Sequence, residues 1–479
     1  MKYIFTVLLI HAVLFAAAQK NAAPQTFAAT ITAADLKKHL YIVASKEMAG
    51  RETGTDGERK AAAYIQQAFQ HIGLQPGNGN SYLMPFNLVQ DSLLSATLQV
   101  GDKVFAYDQD FGVQLGNQAL THAFSEAVFL PKDFSIDSIR VADLAGKLVI
   151  INQDASRIVE LNKKGVAAIM AVSDAYPRKT PSPRKGGLST SIYKRQYGPQ
   201  MVFISPTVAA AIGGKTVFTR IETVRTRVLM GIQKTALAVP SANVLGVLPG
   251  TDKRDEYLFI TAHYDHIGQR GDSIINYGAD DDGSGTVSVI ELAEAFAAAA
   301  KKGRNPRRTI VFMTVSGEEK GLLGSAYYSD NPLYPLAQTT ANLNIDMIGR
   351  SDPSRKVGDS LNYVYVVGDD KLSTDLRTIS EAQNNKYTKL ELDYKFNDPA
   401  DPMRIYYRSD HYNFAKNGVP IIFYFNGTHA DYHRPTDTPD KINYNLMEKR
   451  ARLVFYTAWE MANRDQMLKR DLPLPELRR

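Results

Sequence analysis

Histidine and aspartate side chains are concentrated in residues 257–286, which read YLFITAHYDHIGQRGDSIINYGADDDGSGT. The apolar, β-branched start of this stretch predicts a short buried strand, and residues 286–296 have the spacing of an amphipathic helix. His263 and Asp265 follow the strand, and the aspartates at 280–282 precede the helix. In open α/β sheets, sites form in the crevice between such strand ends and helix starts.

The run of consecutive aspartates is the feature that needs a physical reason, because like charges side by side repel one another. A divalent cation held by carboxylate oxygen and imidazole nitrogen supplies such a reason. The alternative is a solvated acidic loop in which Asp282 or Ser284 caps the following helix. This stretch alone leaves both interpretations open, and ligands elsewhere in the chain must decide between them.

Further acidic and imidazole groups follow three more apolar runs. Ser316-Gly317-Glu318-Glu319 comes after residues 309–315, Asp346 comes after residues 341–345, and Tyr432-His433 lies in the loop after residues 419–425. The strand ends of one sheet meet at the same edge, so these groups are expected to gather there. Such a set of His, Asp and Glu suits a two-metal hydrolase.

The motifs AHYD, GADDDGSG, GEEKGLLGS, NIDMIGR and YHRPTDT occur in this order and resemble those of the M28 zinc peptidases. That family includes bacterial leucyl aminopeptidases and glutamate carboxypeptidase. The resemblance implies an α/β fold with a mixed, mostly parallel sheet flanked by helices, as in zinc exopeptidases. It also implies two Zn²⁺ ions per chain and a peptide substrate.

The resemblance assigns five metal ligands. His263 and Asp346 are expected to bind one zinc ion. Glu319 and His433 are expected to bind the other. Asp281 is expected to bridge both ions, and the family pattern places a cis peptide bond after it.

The catalytic residues implied by the resemblance are Glu318, Asp265 and Tyr432. Glu318 is expected to act as the general base, and Asp265 to accept the far ring N–H of His263. Tyr432 is expected to donate a hydrogen bond to the developing oxyanion. His266 and His429 are interpreted as neighbours of the site and not as ligands.

The segment Arg408-Ser409-Asp410-His411 also resembles a family segment near the substrate site. Its role is less well defined than that of a ligand. Two interpretations of Asp410 and His411 remain open: they line the pocket, or they form structural hydrogen bonds.

The chain of 479 residues is too long for one ordinary domain. We predict an N-terminal part of the catalytic domain at 19–110, an inserted domain at 111–222, the catalytic domain proper at 223–463 and a tail at 464–479. Within the insertion, GKLVII and KKGVAAIM predict strands on either side of a helical stretch. This order resembles the protease-associated domain, a smaller β-rich α/β domain that M28 enzymes carry as an insertion.

The N-terminus has the pattern of a secretory signal. A short basic start precedes an apolar stretch and three alanines, which predicts a signal peptide at 1–18 and cleavage before Gln19. We therefore expect an exported protein, periplasmic or extracellular, with no transmembrane segment. The chain has no cysteine, which excludes disulfides and thiol catalysis.

Basic residues are concentrated in the segment 176–200, which is also rich in Pro, Gly and Ser. Because the net charge of the whole chain is only +6, the pI near 9.0 reflects this segment more than a basic surface everywhere. Nucleic-acid binding is not expected, since no recognisable nucleic-acid-binding fold accompanies these charges. A solvated loop is favoured over one that contacts substrate.

Four functions compete at this point: a zinc aminopeptidase, a carboxypeptidase of the glutamate carboxypeptidase type, a glutaminyl cyclase-like acyltransferase, and a receptor-like ectodomain without catalysis. The cyclase branch normally uses one zinc ion and lacks the inserted domain. A receptor-like chain should have lost metal ligands, and none is lost here. The aminopeptidase is favoured, while the preferred side chain and the oligomeric state stay open.

Overall fold

The structure is a computed structural model that describes residues 24–115, 119–152, 158–179, 184–190, 198–214, 218–271 and 273–474. The predicted signal peptide at 1–18 lies outside the described residues, as do 180–183 and 191–197 of the basic segment. The chain forms two compact units, one from Met1–Phe86 and Pro240–Arg479 and the other from Asn87–Val239.

The discontinuous unit contains a mixed, mostly parallel sheet, as the sequence predicts. From one edge its strands are Glu391–Asp393, Tyr363–Val367, Ile421–Phe425, Thr339–Ile345, Lys253–His263, Arg308–Val315, the end of Glu222–Leu248, and Gln75–Pro76. Pairing is parallel through the centre of the sheet. It is antiparallel at Tyr363–Val367 with Ile421–Phe425 and at the end of Glu222–Leu248. A separate small hairpin joins Gln269–Arg270 and Ile274–Ile275.

The central strands are buried on both faces, which explains their continuous apolar sequence. In the strand Lys253–His263, Leu258 and Ile260 belong to one hydrophobic core and Phe259 to the core on the opposite face. Every residue of Arg308–Val315 and Thr339–Ile345 is buried. The apolar runs therefore predict these strands well, because both faces of the sheet need apolar side chains.

Helices cover the two faces of this sheet. Their bounds are Pro24–Ala28, Ala33–Val43, Asp56–Ile72, Gly285–Lys301, Leu323–Asp330, Asp375–Gln383, His411–Ala415 and Tyr444–Asn463. Gly285–Lys301 and Tyr444–Asn463 pack together through Phe296, whose ring centroid lies 4.7 Å from that of Phe455. Among the described residues, no helix has the length and apolar character needed to cross a membrane.

Two of the covering helices, Ala33–Val43 and Asp56–Ile72, each begin at a capping side chain. Thr32 accepts a hydrogen bond from the N–H of Asp35, and Thr55 accepts one from the N–H of Glu58. Between these helices, Lys46–Arg51 forms a helical turn in which Arg51 is fully buried. This turn contacts the strand ends that hold the site, as described below.

The continuous unit contains a second mixed sheet. Its strands run in the order Leu120–Phe129, Leu148–Asn152, Ala168–Val172, Gln200–Ile204 and Phe111–Val113, with Glu222–Leu248 antiparallel to the first of them. Its helices are Val141–Leu144, Ile158–Lys163 and Pro206–Gly213. Leu83–Val100 pairs antiparallel with Lys103–Phe105 and forms a hairpin around Gly101.

The unit Asn87–Val239 is wider on both sides than the insertion expected at 111–222. The reason is that two long strands, Leu83–Val100 and Glu222–Leu248, each carry the chain from one unit into the other.

The basic segment also differs from a simple solvated loop. Its residues Lys185–Ser189 form a strand that pairs with Leu83–Val100 and so satisfies its main-chain groups.

Candidate metal centre

The carboxyl ends of neighbouring strands bring the candidate ligands together. His263 is the last residue of Lys253–His263 and is in register with Val315, three residues before Glu318. Asp346 directly follows Thr339–Ile345, and His433 lies in the loop after Ile421–Phe425. Asp281 lies in the segment that leads into Gly285–Lys301, and the peptide bond Asp281–Asp282 is cis, as the resemblance implies.

His263 forms the first half of the cluster. Its Nε2 atom lies 3.3 Å from Oδ1 of Asp281, 3.7 Å from Oδ1 of Asp346 and 3.8 Å from Oε2 of Glu318. The imidazole is buried, and its other ring nitrogen faces the main chain. Nε2 is therefore directed at the carboxylates.

His433 forms the second half. Its Nε2 atom lies 3.1 Å from Oδ2 of Asp281 and 3.1 Å from Oε2 of Glu319. Asp281 thus presents one oxygen to each imidazole. This is the arrangement that a carboxylate bridging two ions requires.

These distances fit zinc. Ligand atoms about 2.1 Å from a tetrahedral zinc ion lie about 3.4 Å from one another. The distances around His263 and His433 fall on either side of that value. Three buried atoms that could coordinate a metal also lack a hydrogen-bond partner among the described residues. They are Nε2 of His263, Oδ2 of Asp281 and Oε1 of Glu319. Buried polar atoms of this kind call for a missing partner, and a divalent cation supplies one.

The protonation equilibria show the same need for positive charge. Burial works to lower the pKa of His433, but the adjacent carboxylates of Asp281 and Glu319 raise it to about 10. Burial works to raise the pKa of Asp281, but His263 and His433 hold it well below its usual range. Burial raises the pKa of Glu318 well above its usual range, and the nearby carboxylates add to this. The carboxylates therefore favour a cation, either a proton on an imidazole or a metal ion in its place.

Comparison with known sequences assigns this part of the chain to a family. Residues 243–458 match the profile of Peptidase family M28. This segment belongs to peptidase family M28. The matched residues include the motifs AHYD, GADDDGSG, GEEKGLLGS, NIDMIGR and YHRPTDT and each side chain of the cluster.

Curated relatives of this M28 segment include two fungal proteins. One, from Pyricularia oryzae, is named "probable zinc metalloprotease" and is 28% identical over 298 residues, or 53% of this chain and 56% of that protein. The other, from Arthroderma otae, is named "probable leucine aminopeptidase" and is 30% identical over 226 residues, or 46% of this chain and 57% of that protein. The chain thus spans little more than half the length of these relatives.

Solved structures show the same fold over a longer range. The aminopeptidase from Aneurinibacillus sp. strain AM-1 superposes with a TM-score of 0.59 at 18% identity, over 95% of this chain and 98% of the other. A zinc aminopeptidase from Bacillus subtilis superposes with a TM-score of 0.55 at 18% identity, over 92% and 99%. At this identity the likeness concerns the fold, and it extends beyond the M28 segment.

The three consecutive aspartates do not surround one cation, because only Asp281 among them lies against His263 and His433. Oδ1 of Asp280 accepts the N–H of Gly349 at 2.6 Å. Asp282 accepts the N–H of His263 at 3.2 Å and that of Met347 at 3.1 Å, so it fixes the main chain beside two of the ligands. The outer aspartates are therefore acceptors for main-chain N–H groups.

Asp265 is placed differently from the expectation. Nδ1 of His263 lies 3.0 Å from the main-chain carbonyl of Asp265 but 3.7 Å from its carboxylate. The carboxylate instead accepts the Thr53 hydroxyl at 2.8 Å and the N–H of Glu318 at 3.2 Å. The carbonyl is thus the nearer acceptor for the ring N–H, which leaves Nε2 available for a metal.

Tyr432 lines the same pocket as Asp281, Glu318 and Asp346. Its ring stacks on that of His433, with centroids 3.9 Å apart. Its hydroxyl accepts a hydrogen bond from Arg408 at 3.3 Å, so its own proton can be given to another acceptor. Burial, with the charges of Asp281 and Glu319, raises the Tyr432 pKa far above neutrality and keeps the phenol protonated.

His266 is nearer to the ligands than the sequence suggests. It is fully buried, and its Nδ1 lies 2.8 Å from Oε1 of Glu319 and 3.8 Å from Oδ2 of Asp281. Donor atoms of His266, Asp281 and Glu319 therefore form one close group, while those of His263, Glu318 and Asp346 form another. The nitrogen of His433 is equally distant from Asp281 and Glu319, at a spacing close to the edge of a zinc tetrahedron, whereas that of His266 lies closer to one carboxylate and farther from the other.

Asp410 and His411 do not line the pocket, since both are fully buried. Asp410 accepts a hydrogen bond from Ser325 at 2.5 Å, and Nε2 of His411 lies 2.7 Å from the carbonyl of Tyr406. The structural interpretation of these two residues therefore holds. His429 lies 3.2 Å from Asp280 and away from the imidazole cluster, as expected for a neighbour.

Arg51, which the sequence motifs do not include, supports the site. The buried guanidinium donates to the carbonyls of Tyr264 at 2.7 Å, Tyr277 at 2.8 Å and Gly278 at 2.9 Å. These carbonyls flank His263 on one side and Asp281 on the other. The one available signal was an arginine in a glycine-punctuated loop, which by itself does not distinguish a buried clamp from a surface residue.

We expect Asp281→Asn to weaken zinc binding by more than about 100-fold, because removal of a ligand should exceed the 10–100-fold cost typical of residues around a ligand. Asp280→Asn is the comparison variant: the adjacent carboxylate faces Gly349 and His429 and no proposed ligand, so its loss should weaken zinc binding less than the loss of Asp281. Competition with a chromophoric chelator measures both affinities. Equal losses in the two variants would contradict the role of Asp281.

Proposed function

We propose that this chain is an exported zinc-dependent exopeptidase, most simply an aminopeptidase that removes N-terminal residues from peptides with two metal ions. The observation that supports this most directly is a group of buried atoms that could coordinate a metal and have no hydrogen-bond partner among the described residues. They belong to His263, Asp281 and Glu319. Asp346 and His433 complete the five ligands in the proposal. Membership of the M28 segment in a peptidase family and the names of its relatives agree with it.

In this proposal His263, Asp281 and Asp346 would hold one zinc ion. Glu319, His433 and Asp281 would hold the other. When bound, zinc polarises the scissile carbonyl and lowers the pKa of water towards about 7. The remaining chemistry belongs to side chains of the protein.

Glu318 acts as the general base and acid. Its carboxylate faces the cluster, where it can take a proton from water and give it to the leaving amine. The N–H of Glu318 is held by Asp265, which fixes the start of the side chain. Tyr432 donates its O–H to the negative oxygen of the tetrahedral intermediate.

The pocket lining favours an apolar residue at the scissile position. Met347, Ile405, Phe423 and Phe425 are among its lining residues. Their side chains suit an apolar residue of the substrate. The names of the relatives, and not a residue of the pocket, support aminopeptidase action over carboxypeptidase action.

A carboxypeptidase acting on acidic dipeptide-like substrates is the second candidate. The observation in its favour is Arg408, whose exposed guanidinium lines the pocket beside Tyr432. An arginine can hold a carboxylate in a bidentate manner, as a substrate with a free C-terminus would need. Substrate tests must therefore include both ends of a peptide.

We expect the purified protein to hydrolyse leucyl p-nitroanilide, to lose this activity with a chelator and to regain it with zinc. N-acetyl-leucyl p-nitroanilide is the matched control and should not be cleaved, because its ammonium group is blocked. Cleavage of N-blocked dipeptides ending in glutamate would favour the carboxypeptidase. Cyclisation of an N-terminal glutamine would favour the acyltransferase, and no reaction with any of these substrates would support a non-catalytic ectodomain.

The adjacent glutamates provide a second test. Glu318→Gln keeps the shape but cannot accept a proton, so kcat should fall by about 10²–10⁴ while bound zinc stays at the wild-type level. Glu319→Gln removes a charged ligand, so bound zinc should fall first and added zinc should restore part of the activity. Zinc content and kcat are measured side by side. Loss of metal in Glu318→Gln with retention in Glu319→Gln would reverse the two roles.

Export and the type of the inserted unit are part of the same proposal. The N-terminal pattern supports export, and GKLVII and KKGVAAIM support a protease-associated type for Asn87–Val239. We expect N-terminal sequencing of protein from the native host to begin at Gln19. Recovery of active protein that retains Met1 would contradict export by this signal.

A further inference from the structure

Asp437 binds the main chain of the segment that carries Asp281. It is fully buried, and its two carboxylate oxygens accept the N–H of Asp280 at 3.2 and 3.0 Å. Oδ2 also accepts the N–H of Asp281 at 3.2 Å, and the carbonyl of Asp437 accepts the N–H of Ala279 at 3.2 Å. One residue therefore accepts three successive N–H groups.

These N–H groups need an acceptor because the segment Ala279–Ser284 is buried throughout. Regular helical bonding is interrupted there, since Asp281 and Asp282 have non-helical dihedral angles. A buried N–H without a partner is destabilising, and a carboxylate is a strong acceptor for it. Asp437 thus supplies what the irregular turn cannot supply to itself.

Asp437 also lies four residues after His433, on the same loop. The other end of this loop contacts the same segment, because Nε2 of His429 lies 3.2 Å from Oδ2 of Asp280. Asp281 and His433 therefore lie on two different segments, with their ligand atoms 3.1 Å apart. Contacts at His429 and at Asp437, on either side of His433 along the loop, join these two segments. Asp346 and His263 come from strand ends outside this junction.

We propose that Asp437 is a positioning residue for the metal position formed by His433, Glu319 and Asp281. This inference rests on the proposed function and adds a residue to it. Asp437 touches neither substrate nor metal; it sets the distance between Asp281 and His433 by holding the Asp280–Asp281 main chain. The ion held by His433 should depend on Asp437 more than the ion held by His263 and Asp346.

The test compares Asp437→Asn and Asp437→Ala with a control on the same loop, Asp431→Asn. Asp431 is also a carboxylate with several partners, namely Thr436 at 2.6 Å, Lys441 at 2.8 Å and Arg350 at 3.2 Å, but its contacts are not with the main chain of a ligand segment. Zinc binding to the full chain is measured by chelator competition, which resolves two affinities. Absorption of the cobalt-substituted protein reports the two positions independently.

We expect one of the two affinities in Asp437→Ala to fall by about 10–100-fold, the range typical of residues that orient a ligand. The other affinity should stay within about threefold of the wild-type value by the same comparison. Asp437→Asn keeps one oxygen acceptor and should lose less. Asp431→Asn should keep both affinities.

The inference is overturned if Asp437→Asn and Asp437→Ala bind both ions as the wild type does, or if both affinities fall equally. It is also overturned if Asp431→Asn has the same effect, or if Asp437→Asn does not fold by circular dichroism, since the residue is then structural. Wild-type chain that binds no zinc and cleaves no peptide would instead refute the proposed function. Wild-type binding and activity together with unaltered Asp437 variants would refute only this inference.

Discussion

The mutual repulsion of buried carboxylates is the constraint on which the rest of the structure depends. Asp281, Glu318, Glu319 and Asp346 lie at one sheet edge within a few ångströms of two imidazoles. Without compensating positive charge such a group is unstable in a low-dielectric interior. The raised pKa of His433 and the unpartnered donor atoms both express this demand. The site therefore suits cations, and the fold must hold the carboxylates close together against their mutual repulsion.

The fold holds them through main-chain groups. Asp282 binds the N–H groups of His263 and Met347, and Asp437 binds those of Asp280 and Asp281. Arg51 binds carbonyls on either side of the cluster. None of these contacts uses a proposed ligand atom, so the ligand atoms stay available. The side chains that hold the main chain in place are thus different from the side chains that provide the proposed ligand atoms.

Much of the architecture follows from local patterns in the sequence. The central strands are parallel and buried on both faces, so they appear as continuous apolar runs, and the covering helices have clear caps and apolar stripes. Because parallel strands end at one edge, the groups that follow each run could be expected to meet there. The boundary of the inserted unit was less predictable, since Leu83–Val100 and Glu222–Leu248 each run through both units without a break in pattern.

Sequence by itself thus determined the fold class, the strand ends that form the site and the set of acidic and imidazole side chains gathered there. Only the tertiary structure decided which atoms face which. It directed Asp280 and Asp282 to main-chain N–H groups, replaced the Asp265 carboxylate by its carbonyl as the nearer partner of His263, and buried Asp410 and His411 away from the pocket. It also brought Arg51 and Asp437 to the cluster from distant parts of the chain. The physical reason is that a residue's type states which bonds it can form, whereas the partners are set by long-range packing that no local pattern encodes.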